Sequence, residues 1–273
     1  MKAYSPYLLY QVARFGALTI PQLLKVCEGK CKRSSLYRSL RKLINEDFIY
    51  PILNPATSTR AYYATAEGRR YAFGNDQLLT AGVKPAELDH TVLCAEILMS
   101  LSTYENVTGV ATHFELGSDE FKRFCHGRIP DGIIQLTQGT ESYELAVELE
   151  SSNRSASRVA DVLNHYWETF RKGYECSGLL VVAMTPAIAA MYSKAVAQMP
   201  SEFQSRVRIL EGLGLQGLNH EAFGRSNQSI SRCLDLSRTS CLGTIQYSPT
   251  KTDIYLSQFF SKPRKDEDTY EVV

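Results

Sequence analysis

Two apolar segments in the middle of the chain narrow its folding options more than any other feature. In SYELAVELE (142–150), alternation sends Leu145, Val147 and Leu149 to one side and Glu144, Ala146, Glu148 and Glu150 to the other, the pattern of a strand. The unbroken apolar run GLLVVAM (178–184) suits a strand buried on both faces, and such strands occur where helices cover a sheet from both sides. Helical spacing marks AELDHTVLCAEILMSLSTY (86–104), with Leu88, Val92, Ala95 and Met99 on one stripe, and also SASRVADVLNHYWETFRKGY (155–174) and AIAAMYSKAVAQM (187–199). Together with the strand-like segments VTGVATHFEL (107–116), GRIPDGIIQLT (127–137) and RVRILEGLG (206–214), the order is α, β, β, β, α, β, α, β. That order predicts a mixed sheet flanked by helices.

Charge separates the first quarter of the chain from the rest. Residues 1–72 hold twelve Lys and Arg against four acids, whereas the remainder is 18 basic against 25 acidic. Phosphates attract the first balance and divalent cations the second. At 273 residues and 44% hydrophobic, the chain is long enough for two cores. The expected division is 1–75, a linker at 76–85 around the Gly- and Pro-containing GNDQLLTAGVKPAELDH, a body at 86–220, and an extension at 221–273 ending in the charged KPRKDEDTYEVV, read as a flexible tail. No apolar run reaches the roughly 20 residues of a membrane span and the N-terminus lacks signal-peptide character, so a cytoplasmic protein without membrane contact is expected. The seven scattered cysteines are read as reduced thiols, and no second pair accompanies Cys27 and Cys31 at zinc-finger spacing.

In the basic quarter, Ser5 and Pro6 open a helix that stops near Gly16, Thr19 caps a second over IPQLLKVC, and SSLYRSLRKLINEDF (34–48) forms a third with Leu36, Leu40, Leu43 and Ile44 inward. Two strand-like segments, FIYPIL and RAYYATAEG, follow as a hairpin around a loop, NPATST, that can flex; Arg69 and Arg70 fall on a further helix. Three helices and then a hairpin resemble a winged helix-turn-helix, in which the third helix enters the major groove and the wing contacts backbone or minor groove. That resemblance assigns double-stranded DNA, at a specific site, to Lys32, Arg33, Ser35, Arg38, Arg41 and Lys42, with Arg60 at the hairpin tip.

In the acidic body, Asp131 follows Pro130 at a strand start, and Glu148 and Glu150 project from one face of a strand of buried type. Two such carboxylates are costly without a counter-ion, and a hard divalent cation removes that cost. The arrangement resembles the PD-(D/E)-x-K nuclease superfamily, a restriction-endonuclease-like mixed sheet, so the expected fold class is α+β/α/β. Glu150 occupies the usual Lys position. Arg154, Arg158 or Lys172 must then supply that function, or activity is altered or lost.

The whole of 5–215 is similar to the replication-relaxation proteins and MobC-type plasmid mobilisation relaxases, on the winged helix, Leu88-Asp89-His90, PDG, the E-L-E strand end with Ser, Asn and Arg after it, and Tyr166 on the next helix. The resemblance implies site- and strand-specific nicking at a transfer origin by an endonuclease, with an accessory mobilisation protein and a coupling protein. The expected metal ligands for Mg²⁺ or Mn²⁺ are Asp131, Glu148 and Glu150, with Glu96 as a fourth; Tyr166 is the candidate nucleophile. No H-x-D-x-H triad is present, the five His being dispersed. The competing expectation is a replication or transcription regulator whose nuclease-like body is catalytically inactive.

Overall fold

The computed structural model describes residues 4–74, 82–115, 127–138 and 140–211. The expectations for most of the 76–85 linker and for the whole 221–273 extension lie outside them.

The first elements are α1 (Tyr4–Phe15), a two-residue β1 (Ala17–Leu18), α2 (Ile20–Val26), α3 (Arg33–Asn45), β2 (Ile49–Leu53), β3 (Arg60–Ala64) and α4 (Ala66–Phe73). Local chemistry accounts for several boundaries. Thr19 and Gln22 form a reciprocal capping box on α2, and the Thr65 hydroxyl accepts from the Gly68 N–H at the start of α4. Gly16 ends α1 at a φ of 76°, and a Cβ there would lie 2.1 Å from the Phe114 ring, so only glycine fits both the turn and the contact. The residues after it add β1 to the hairpin, giving a three-stranded antiparallel sheet in the order β1-β3-β2; this short strand was not anticipated.

The larger body consists of α5 (Leu88–Leu101), β4 (Val107–Thr112), β5 (Gly132–Gln138), β6 (Glu141–Glu150), α6 (Ala156–Arg171), β7 (Gly178–Ala183), α7 (Pro186–Val196), a short unanticipated α8 (Ser201–Arg206) and β8 (Val207–Glu211). Its sheet runs β4-β5-β6-β7-β8, antiparallel through β6 and parallel from β6 to β8. The expected mixed α/β architecture is therefore present. One face, including Leu145, Val147, Leu149, Leu180 and Val182, packs under α5; the other, including Ala146, Val181 and Ala183, packs under α6 and α7.

Helix α5 departs from the expected single stripe, because Leu88, Thr91, Cys94, Ala95, Ile97, Leu98 and Met99 are all buried. The sheet packs against it on one side and the N-terminal helices on the other, so one continuous apolar cluster joins Leu8, Leu36 and Leu43 to Leu98, Leu145 and Val182. Polar contacts reinforce the junction: Arg14 and Tyr10 donate to Glu115, and Gln22 donates to the Val92 carbonyl. The hairpin loop is also tied down rather than loose. Asn54 and Thr57 donate to the two carboxylate oxygens of Asp89 at 2.9 and 3.0 Å, binding the 54–59 turn to the first turn of α5.

Candidate functional site

The acids gather at the carboxyl ends of β6 and β7, the edge where open α/β sheets offer a crevice to ligands. Gly132 pairs with Val147, so the next step outward sets Asp131 beside Glu148. Asp131 Oδ2 accepts the Leu149 N–H at 2.8 Å, so its side chain takes a backbone position at the end of the ladder. From α5, His90 Nε2 reaches Asp131 Oδ1 at 3.0 Å, and Cys94 Sγ, one helical turn later, lies 3.4 Å from the same nitrogen.

Glu148 and Glu150 face α6 and α7, as the alternation in SYELAVELE requires, and each is 2% exposed. Arg128, just before β5, grips Glu148 with two parallel bonds, Nε to Oε1 at 2.8 Å and Nη2 to Oε2 at 2.6 Å, while the Tyr166 hydroxyl donates to Oε1 at 2.5 Å. Glu150 repeats the scheme. Arg154 Nε donates to its Oε2 at 2.9 Å and the Tyr192 hydroxyl to its Oε1 at 2.7 Å. The bidentate Arg128–Glu148 contact and the single charge-assisted bond from Arg154 to Glu150 are among the stronger hydrogen bonds available to a carboxylate.

The electrostatics follow from burial set against these partners. Burial pushes the Glu148 carboxyl up, against the pull of Arg128. Burial also acts upward on Asp131, but the His90 hydrogen bond and charge and the Leu149 N–H outweigh it and hold the carboxyl below its ordinary range. The hydrogen bond to Asp131 in turn raises His90. Burial drives the Cys94 thiol well above its usual range, and burial followed by the bond to Glu150 raises the Tyr192 phenol.

Two observations bear on the expected metal set. Glu96 does not join it: its carboxylate accepts from Lys25 at 3.0 Å and from Gln22 at 3.3 Å, at the junction with α2. For the remaining three acids, all six carboxylate oxygens already accept a hydrogen bond, and a guanidinium group faces each of Glu148 and Glu150, while His90 faces Asp131. With these bonds in place, a hard octahedral ion at the three acids would have to displace or share the arginine, tyrosine and His90 contacts. Tyr166, the expected nucleophile, is fully buried with its hydroxyl donating to Glu148. Lys172 caps the far end of α6, about 26 Å along the helix from Ser155, and is exposed, as is Arg158.

The residues expected to contact nucleic acid are placed differently. Lys32, Arg33, Arg38, Arg41 and Arg60 are exposed, Ser35 and Lys42 half-buried, while Leu36, Leu40 and Leu43 anchor α3 from behind. Arg33 lies over the Tyr37 ring, and Lys42 pairs with Glu46 at 3.6 Å.

Sequence reasoning missed Arg128 and Tyr192, and it used His90 without its neighbour. The available signal was the four-residue spacing of His90 and Cys94, which puts both on one helix face. Comparison with family models, with curated proteins and with solved structures returned no match.

Proposed function

We propose that the chain is a double-stranded DNA-binding protein of winged-helix type, in which α3 enters the major groove and the β2–β3 hairpin is the wing. The observation that carries this reading is the two-sided character of α3. Three leucines fasten it to the fold, and the opposite side shows Lys32, Arg33, Arg38 and Arg41 to solvent. At 13 residues the helix is about 20 Å long, and a major groove roughly 12 Å wide admits it side-on or end-on. Attachment of the wing loop to Asp89 holds the second contact at a set position relative to α5, which lowers the entropy lost on docking. The nuclease-like sheet then acts as the body that carries the reader, its acids neutralised internally. This favours the regulator over the nickase.

Metal-dependent nicking at a transfer origin, with mobilisation and coupling proteins as partners, is the second reading. The placement of Asp131 beside Glu148 at paired strand ends speaks for it, and the saturation of the carboxylates speaks against it.

Selection of bound fragments from a random duplex pool, followed by a mobility shift with and without EDTA, tests the first reading. Site-selective binding that survives EDTA, with no nicking of supercoiled DNA carrying the site in Mg²⁺, is the expected result. Mg²⁺-dependent nicking that is lost in Glu148→Gln would install the second reading instead.

A further inference from the structure

We propose that His90, Cys94 and Asp131 form a binding site for one borderline divalent transition-metal ion of the Zn²⁺ class, which shares Asp131 with the hard-cation set expected at the three acids but takes its other two ligands from α5. The three residues each offer one ligand atom, and these atoms lie within 4.8 Å of one another. Zn–N and Zn–O bonds of about 2.0 Å and a Zn–S bond of about 2.3 Å, set at tetrahedral angles, separate the ligand atoms by roughly 3.3–3.5 Å. The spacings of 3.0 Å from His90 Nε2 to Asp131 Oδ1 and 3.4 Å from His90 Nε2 to Cys94 Sγ need only a few tenths of an ångström of opening to admit the ion.

Chemistry selects the metal. An imidazole, a thiolate and a carboxylate suit Zn²⁺ or Co²⁺, whereas Mg²⁺ takes oxygen ligands. Charge balances as well: the ion replaces the protons of the Cys94 thiol and of His90 Nε2, and a 2+ ion with one thiolate and one carboxylate is neutral, which keeps desolvation small. The support around the ligands is already present. Leu149 N–H holds the second oxygen of Asp131, and α5 fixes the His and Cys one turn apart. Access is open, since the His90 and Asp131 side chains keep 34% and 21% of their surface exposed while Cys94 lies inside. Three protein ligands leave a fourth tetrahedral position for a water or an incoming oxygen ligand.

The site stands independently of the DNA-binding reading, and its test uses the full chain without DNA. The protein is stripped with chelator and titrated with Co²⁺, which reports thiolate ligation through sulfur-to-metal charge-transfer absorption and geometry through its visible bands. The expected result is one Co²⁺ per chain at micromolar affinity or tighter, displaced by Zn²⁺ and indifferent to excess Mg²⁺. Cys94→Ser should lose the charge-transfer band, and His90→Gln and Asp131→Asn should each weaken binding by about 100-fold or more. Cys31→Ser should leave the spectrum unchanged. Because Cys94 is buried, the circular dichroism of each metal-free variant is compared with wild type, and partly exposed His90→Gln provides the decisive variant if Cys94→Ser does not fold. Absence of Co²⁺ binding overturns the proposal, as does a charge-transfer band that survives Cys94→Ser, or binding lost in Glu148→Gln but kept in His90→Gln.

Discussion

On α3, Lys32, Arg38 and Arg41 stand in solvent with no ion-pair partner among the described residues, whereas at the sheet end Glu148 and Glu150 are each bonded to an arginine and a tyrosine. Both regions are rich in charge, yet they place it in opposite thermodynamic positions. An exposed cation keeps its hydration and costs the fold little, so it remains available to a phosphate partner. A buried carboxylate has already lost its water, and its arginine and tyrosine are what make that loss tolerable. Changes on α3 should therefore register in binding, and changes at the sheet end in stability.

The largest expected effect is at the sheet end. Arg128→Ala leaves Glu148 buried without its bidentate partner and should destabilise the fold by about 3 kcal/mol, the low end for such pairs because Arg128 keeps a third of its side chain exposed. Urea denaturation measures it. An unchanged midpoint would mean that the Glu148 charge does not depend on this contact, and the contrast between the two regions would collapse.

Next is α3. The triple substitution Arg38→Ala, Arg41→Ala, Lys42→Ala should weaken DNA binding on the order of 100-fold at low salt and flatten the salt dependence by about three units of slope, one per lost phosphate contact. Stability should move by no more than about 0.5 kcal/mol at each of the exposed Arg38 and Arg41, and by at most about 1 kcal/mol at Lys42, which pairs with Glu46. A preserved slope would remove α3 from the interface.

A smaller change sharpens the sheet-end half of the comparison. Tyr192→Phe deletes one donor to Glu150 while Arg154 remains, and should cost about 1–2 kcal/mol in the same denaturation assay without altering DNA affinity. A loss of affinity with stability intact would place Glu150 in the DNA-contacting machinery.

The smallest effect is a pH dependence from the His90–Asp131 pair. Asp131 is held below its ordinary 3.8, so its contribution is present above that value and is lost as pH falls through the folded-state value. His90 is held above its ordinary 6.5, so its contribution is complete below that value and is lost as pH rises through the raised one. The pair therefore stabilises most between about pH 4 and 6.5. In thermal melts across pH, His90→Gln should flatten the decline on the alkaline side; an unaltered profile would mean that the decline has another source.

Much of the fold was legible because it is written in local periodicity and caps. Thr19, Thr65, Ser155 and Thr185 each cap the helix that follows them, the apolar spacing of α3 reproduces the burial found, and the alternation of β6 gives the side each residue faces, although 145–150 are buried on both. What was not legible depended on second partners. Met99 and Ala95 were visible as one stripe of α5, but the burial of Thr91, Cys94 and Ile97 required the N-terminal helices to pack on its other side. The hairpin loop read as free because nothing in NPATST names Asp89, some thirty residues on, as its anchor.

The acids show where that limit lies. Residue order alone puts Glu148 and Glu150 on the same face of a strand of buried type, and a period of two makes that unavoidable. The identity of their counter-charges follows from folding at long range: Arg128 lies 20 residues before Glu148, and Tyr192 lies 42 residues after Glu150. These groups meet because β5 and β7 flank β6 and because α6 and α7 dock on one face of the sheet. Spacing along the chain reports which way a side chain points, but only the docked elements report what it meets, and whether a buried carboxylate finds a guanidinium or a metal ion is a matter of what it meets.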